Sequence, residues 1–264
     1  MQTKPFKYLF RIQYLGLRYH GWQVQKGVKT IQGTLEKTFR YVLQHENFKI
    51  LGSSRTDTEV SCLNGAFELF LPYIIDTNSL IGPLNDFLPA DIRILEGFQS
   101  SYDFNVIQDV ANKSYGYYFS FGPKPHPMYA GSVAYAGQSL DLGLMNEGAA
   151  LFKGKHDFRR FCSQGKNTHD FIREITYAQI DEPSEHFTFL PEKNVKVFRV
   201  KGSGFLMHQV RRMAACLISL GKGELKLGEI EEALTSSEKT PLSPKAPANG
   251  LILEKVSFVG DKFE

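Results

Sequence analysis

The polar run Ser53-Ser54-Arg55-Thr56-Asp57-Thr58-Glu59-Val60-Ser61 places an Arg and an Asp two residues apart in one turn. A carboxylate held in a cleft serves as a nucleophile or a general base, provided a nearby cation offsets the cost of keeping it ionised. Apolar segments flank the run: Lys49-Ile50-Leu51 reads as a short strand before it, and Ala66-Phe67-Glu68-Leu69-Phe70-Leu71 as another after it. A turn between two strands is a place where a rigid sheet can hold reactive groups. Taken alone, the same residues also suit a solvated loop carrying an Arg–Asp pair.

A second group of residues suits phosphate. Lys153, Lys155, Arg159, Arg160 and Lys166 crowd one short stretch, interleaved with Phe152, Phe158 and Phe161. Mobile cations neutralise phosphates and aromatic faces stack on unpaired bases, although a basic loop packed by core phenylalanines has the same composition. The net charge of +3 is too mild to decide between them. The three cysteines, Cys62, Cys162 and Cys216, are far apart and lack Cys-x-x-Cys spacing, which supports neither a disulfide framework nor a zinc site. Each is expected to be a buried free thiol. No apolar window is long enough to span a membrane, and Met1-Gln2-Thr3-Lys4-Pro5-Phe6 lacks the apolar run of a signal peptide, so a cytoplasmic location is expected.

The elements that must position these groups follow from periodicity. Lys7 to Tyr14 alternates as a strand, Ile31, Leu35, Phe39 and Val42 recur at helical spacing, Thr77 to Asp86 reads as a helix and Ile92 to Phe98 as a strand. With the strands around Asp57 this is β-α-β-β-α-β. Further on, Tyr115, Tyr117, Phe119 and Phe121 share a strand face and a helix spans about Asp141 to Phe152. Strands follow at Arg173 to Asp181 and Val195 to Ser203, helices at Leu206 to Leu220 and Leu227 to Leu234, and a last strand at Leu251 to Val256. The expectation is an α+β fold of two ferredoxin-like β-α-β-β-α-β halves, residues 1–105 and 106–264, with antiparallel sheets meeting at a central cleft. The segments Gly122 to Pro127 and Ser236 to Pro247, rich in Pro and polar residues, read as surface loops.

The chain resembles the TruA-type tRNA pseudouridine synthases. The likeness rests on Arg55-Thr56-Asp57 and on other blocks in the same order along most of the chain: Tyr14-Leu15-Gly16 through Tyr19-His20-Gly21-Trp22-Gln23, Thr30-Ile31-Gln32-Gly33-Thr34-Leu35-Glu36, Leu84-Asn85 with Leu88-Pro89-Ala90-Asp91, Gly154-Lys155-His156-Asp157-Phe158, His208-Gln209-Val210-Arg211 and Asn249-Gly250-Leu251. The resemblance implies a homodimer that isomerises uridines on the 3′ side of the tRNA anticodon stem-loop, with no metal and no organic cofactor. It makes Asp57 the catalytic carboxylate, acting on the ribose either at C1′ as a nucleophile or at C2′ as a base. It also implies that Arg211 is the partnering cation, that Tyr115 stacks on uracil and assists loss of the C5 proton, and that Leu251 forms a wall of the uracil pocket. By the same resemblance Arg55 is expected to help extrude the target nucleotide, and the basic stretch makes Lys155, Arg159 and Arg160 the expected RNA contacts.

The sequence departs from the family pattern around Asp57. Glu59 and Ser54 stand where the family has Gly, Ser61 where it has His, and Ile107 where it has Arg. These changes imply altered or weakened RNA contacts with the chemistry intact. Two other readings compete. A non-catalytic RNA-binding protein or tRNA chaperone of the same fold needs no carboxylate facing a phosphodiester, which retention of Asp57, Tyr115 and Arg211 argues against. A glycoside hydrolase using Asp57 needs a second facing carboxylate, and Glu59 in the same turn is poorly placed to supply it.

Overall fold

Apolar alternation and helical spacing become ten strands and five α-helices in the computed structural model, which describes residues 5–163, 169–183 and 194–260. The fold is α+β. The chain divides into two compact units, Met1–Ala111 with Leu253–Glu264, and Asn112–Ile252. The segment from Leu253 onward goes with the first unit. Lys166, part of the basic stretch, and Met1 to Lys4 lie outside the described residues.

The first unit runs β1 (Phe6–Tyr14), α1 (Ile31–Leu43), β2 (Lys49–Gly52), β3 (Ser61–Leu71), α2 (Thr77–Phe87) and β4 (Ile92–Gln99). It also takes most of β10 (Leu251–Phe258). β1 lies between β3 and β4, antiparallel to both, so that Phe10 pairs with Phe67 on one side and Gly97 on the other. β2 pairs with the far half of β3, from Lys49 opposite Phe70 to Gly52 opposite Phe67. β3 begins at Ser61, five positions ahead of the expected Ala66. Ser61-Cys62-Leu63-Asn64-Gly65 has no clean alternation to reveal it, but pairing of Cys62 with Tyr14 and of Gly65 with Ile12 carries the ladder that far.

Aromatic packing fixes α1 onto this sheet. Phe10 and Phe67 stack at 5.4 Å, and Phe39 of α1 meets both edge-on at 6.0 Å. Ile31, Leu35 and Phe39, spaced one turn apart, are fully buried. Thr30 caps the helix by accepting from the Gly33 N–H. Two charged side chains are also buried. Arg11 is 1 % exposed, donates to the Val256 carbonyl and lies 5.2 Å over the Phe258 ring. Glu68, also 1 % exposed, accepts from the Val106 N–H; burial pushes its carboxyl up, with that hydrogen bond and Lys7 pulling it partly back.

The second unit runs from β5 (Val110–Ser120) through β6 (Ala134–Tyr135), α3 (Leu142–Leu151), β7 (Gly154–Asp157), β8 (Ile172–Asp181), β9 (Val195–Gly202), α4 (Gln209–Gly221) and α5 (Leu227–Thr235) to the start of β10. Its strands are ordered β5-β9-β8-β7 and pair antiparallel, with the short β6 parallel to β5. β6 and β7 were not expected. β7 is Gly154-Lys155-His156-Asp157, a polar stretch with no period-two signal, and it becomes a strand because β8 offers it a free edge. α4 starts at Gln209 instead of Leu206. His208 takes a left-handed conformation at φ +62, and the Leu206 N–H is capped by the Gln209 side chain at 2.8 Å, so the chain turns before the helix begins. α3 packs closely on α4 at Gly148, where a Cβ would come within 2.5 Å of Leu220. Among the described residues no helix is long and apolar enough to cross a membrane.

Candidate active site

The Asp57 turn is pinned through Thr56. The Thr56 hydroxyl and the Tyr14 phenol share a hydrogen bond of 2.8 Å, and the Thr56 carbonyl accepts from the Trp22 N–H at 3.1 Å. Two residues on, the Glu59 N–H donates to the Tyr19 carbonyl at 3.0 Å, and the Val60 N–H closes the turn on the Asp57 carbonyl at 3.2 Å. Thr56 is buried while Arg55 is exposed and Asp57 half-buried.

The segment between β1 and α1 is built to hold that turn. Gly21 has φ +81, and a Cβ there would stand 2.5 Å from the Thr56 carbonyl oxygen. Gly16 abuts Val60 so closely that a Cβ would lie 2.1 Å from its carbonyl oxygen. Gly52 in β2 gives way to the Trp22 indole in the same manner, at 2.4 Å. Asp91 locks the segment from the other side: it accepts from the Tyr19 phenol and the Arg18 Nε, each at 2.7 Å, and its carbonyl accepts from the Leu15 N–H. Burial, and the hydrogen bond donated to Asp91, push the Tyr19 hydroxyl well above its ordinary range, so it stays a donor at any physiological pH. Asn85 makes a paired bond to the Ile94 backbone, steadying β4 just beyond Asp91. Tyr14, Gly16, Tyr19, Gly21, Trp22 and Asp91 are thus site residues at one remove. Only their presence in the shared blocks marks them in the sequence.

The departures around Asp57 have distinct local settings. Glu59 occupies the left-handed region at φ +67, where glycine sits without strain. Ser61 is buried and its hydroxyl accepts from the Gly16 N–H at 2.9 Å, a bond that joins β3 to the pinning segment. Ser54 is buried with no hydrogen-bond partner for its hydroxyl among the described residues. Ile107 is half-exposed at the corner of a turn whose amides are capped by the Asn105 carbonyl oxygen of the side chain.

Tyr115, Arg211 and Leu251 belong to the second unit. Tyr115, on β5, is buried and meets Phe205 edge-on at 5.2 Å. Arg211 lies in the first turn of α4; its Nε donates to the Ala246 carbonyl at 2.8 Å, and its own carbonyl accepts from the Ala246 N–H. Tyr117 shares the Tyr115 face of β5, is fully buried, and its hydroxyl has no hydrogen-bond partner among the described residues. Burial pushes that hydroxyl far up and the Arg211 charge draws it partly back, so the two are close enough to feel one another. Sequence periodicity marks Tyr117 only as core. Leu251 is buried at the head of β10, just after Gly250, where a Cβ would press within 2.7 Å of the Tyr118 carbonyl oxygen. Asn249 anchors this corner by donating to the carbonyls of Ala130 and Val133.

The basic stretch is less uniform than its sequence suggests. Lys153 and Lys155 are exposed. Arg159 is paired with Asp157 at 2.6 Å and lies over the Phe171 ring, while Arg160 bonds the Thr240 carbonyl and Glu238. Phe152, Phe158 and Phe161 are buried and pack on one another, not available as stacking faces. All three cysteines are buried free thiols. Among the described residues no cluster of His, Cys, Asp and Glu could hold a metal ion.

The first unit thus carries a carboxylate in a turn clamped between strands, and the second carries a phenol on β5, an arginine on α4 and an apolar residue on β10, residue types that a pyrimidine-nucleoside isomerase can use. Comparison with known proteins agrees: the family model described as tRNA pseudouridine synthase matches residues 149–259. Over 251 residues the chain is 35 % identical to tRNA pseudouridine synthase A of Thermodesulfovibrio yellowstonii, covering 94 % of this chain and 97 % of that protein. It is 30 % identical to the protein of that name from Syntrophomonas wolfei, with 95 % and 96 % covered, and 32 % identical to that of Staphylococcus saprophyticus, with 94 % and 89 % covered. The chain belongs to the tRNA pseudouridine synthase A family.

Proposed function

We propose that this chain converts uridine to pseudouridine on the 3′ side of the tRNA anticodon stem-loop, as a cytoplasmic homodimer. In the reaction the bond from C1′ to uracil N1 breaks, the base turns, a bond forms from C1′ to C5, and the C5 proton departs as N1 gains one. Nothing is oxidised or reduced and no group is transferred, so the step balances with amino-acid side chains alone. Asp57 acts on the ribose, at C1′ as a nucleophile or at C2′ as a base. Arg211 supplies the positive charge that keeps Asp57 ionised when RNA displaces water. Tyr115 stacks on the uracil and its hydroxyl assists removal of the C5 proton, and Leu251 walls the pocket. Arg55 aids extrusion of the nucleotide, which costs a few kcal/mol of stacking. Lys155, with Arg159 and Arg160 held behind their acidic partners, adds charge along the RNA path. In this reading each half is a ferredoxin-like unit, a view supported in the first by the order β-α-β-β-α-β, and RNA lies in the cleft where the antiparallel sheets meet.

The observation that carries the reading is the Asp57 turn, held by Tyr14, Gly16, Tyr19, Gly21 and Trp22 in a chain that belongs to this family throughout its length. A surface loop with an incidental Arg–Asp pair has no use for so many fixed backbone contacts. The test is tritium release from C5-labelled uridine in tRNA. Asp57→Asn keeps the shape and removes the charge, so release falls by several orders of magnitude while affinity for tRNA changes little. Near-normal release from the variant removes Asp57 from the chemistry.

A further inference from the structure

Beside the Asp57 turn, α1 floors a groove of about 650 Å³ that none of the roles above uses. Its lining includes Thr34 and Thr38, the lysines Lys29 and Lys37, and the aromatic pair Tyr41 and Phe87. Both lysines are exposed. The Thr34 and Thr38 hydroxyls donate back to carbonyls one turn earlier, at 2.8 and 3.1 Å, and each oxygen keeps the capacity to accept. Tyr41 and Phe87 are 56 % and 55 % exposed and meet at 4.5 Å with their planes 61° apart, an aromatic corner left to solvent.

We propose that this groove holds the strand of the substrate RNA next to the target uridine, with phosphates at Lys29 and Lys37 and an unpaired base against Tyr41 and Phe87. The proposal rests on the function proposed above. Two features favour RNA over other occupants. The first is charge: the charged residues of the lining, Lys29 and Lys37, are both cationic, and cations beside exposed aromatics are what single-stranded nucleic acid requires. The second is continuity with the turn. The Lys29 ammonium lies 4.7 Å over the Tyr19 ring, the Lys29 carbonyl accepts from the His20 N–H, and the Ile31 N–H donates to the Gly21 carbonyl. Tyr19 and Gly21 are the residues that grip Glu59 and Thr56, so groove and turn are parts of one rigid piece.

The test measures tRNA affinity of the full chain against salt, for wild type, Lys29→Ala/Lys37→Ala, Tyr41→Ala and Phe87→Ala, with oligomeric state followed by sedimentation. All four positions are exposed, so folding is preserved. Loss of two phosphate contacts lowers the slope of log affinity against log salt by about 0.7 to 0.9 per contact. Loss of one stacking face weakens binding roughly 5- to 100-fold. Variants that match a wild type active on tRNA, in both affinity and slope, overturn the groove assignment alone. A change in sedimentation that accounts for the lost affinity also overturns it, since the groove then seats a second copy of the chain. A wild type that neither binds nor modifies tRNA overturns the function itself, and this assignment with it.

Discussion

Glu59 is the residue whose chemistry and backbone disagree. Its φ of +67 costs an L-residue about 1–2 kcal/mol, a cost that glycine escapes. Read in the sequence, Glu59 is a negative charge near Asp57 that repels RNA; in the structure it is also a strained turn residue. The two effects separate by substitution. Glu59→Gly raises stability in chemical denaturation by about 0.5–1 kcal/mol, the relief of strain less the extra entropy of glycine in the unfolded chain. Glu59→Gln keeps the strain and removes the charge, so stability stays level while tRNA binding at low salt tightens. If Gln matches Gly in stability, the strain is not real. Tyr117 gives a second prediction at this scale. A buried hydroxyl without a partner among the described residues is a cost, and Tyr117→Phe therefore leaves stability unchanged or raises it by up to about 1 kcal/mol. A fall of turnover in that variant, with its stability intact, shows that the hydroxyl contributes to the reaction.

Among the elements, the segment between β1 and α1 does most to shape the site, though it is neither helix nor strand for most of its length. Its glycines are there because backbone meets backbone. Gly21→Ala combines a left-handed φ with a Cβ 2.5 Å from the Thr56 carbonyl oxygen, so it should cost about 2–4 kcal/mol of stability and displace the Asp57 turn. Thermal unfolding and tritium release read the two consequences; a variant with normal Tm and turnover shows that the turn does not depend on Gly21. β7 teaches the converse lesson. Its residues carry no strand pattern, and only the edge of β8 makes them one, which sets Lys155 out in solvent on the strand while Asp157 at its end captures Arg159. The cations that read alike in the stretch from Lys153 to Arg160 therefore differ in what they can offer RNA: exposed lysines are free to move, and the two arginines must first leave their acidic partners.

For the molecule as a whole, the buried thiols set the behaviour at high pH. Burial pushes Cys62 up to about 12 and Cys216 up to about 11, and raises Cys162 as well. Each thiol in the unfolded chain loses its proton near pH 8.5–9, whereas the folded state keeps it, so the unfolded state binds fewer protons and stability falls as pH rises above about 9. The fall is about 1 kcal/mol per thiol per pH unit until the folded thiol itself ionises. Urea midpoints at pH 8 and pH 10 should therefore differ less for Cys62→Ala/Cys216→Ala than for wild type; equal differences refute burial as the cause. At pH 8 the native thiols resist a disulfide reagent that titrates all three after denaturation.

The sequence alone determined the family and the α+β class, because motifs of fixed spacing and apolar periodicity are local properties that survive in one dimension. Helix α1 was legible from Ile31, Leu35 and Phe39 and β1 from its alternation, since each repeats its own burial pattern. Tertiary structure alone decided why Gly16, Gly21 and Gly52 are glycines, that Glu59 is strained, and that Arg159 and Arg160 are already engaged. It also decided that Ser61–Gly65 and Gly154–Asp157 are strands, since each takes its ladder from a partner distant in sequence. The groove on α1 belongs to the same class. Lys29, Lys37, Tyr41 and Phe87 mean nothing as a string, and acquire a shared purpose only when α1 and the end of α2 bring the two aromatic rings within contact.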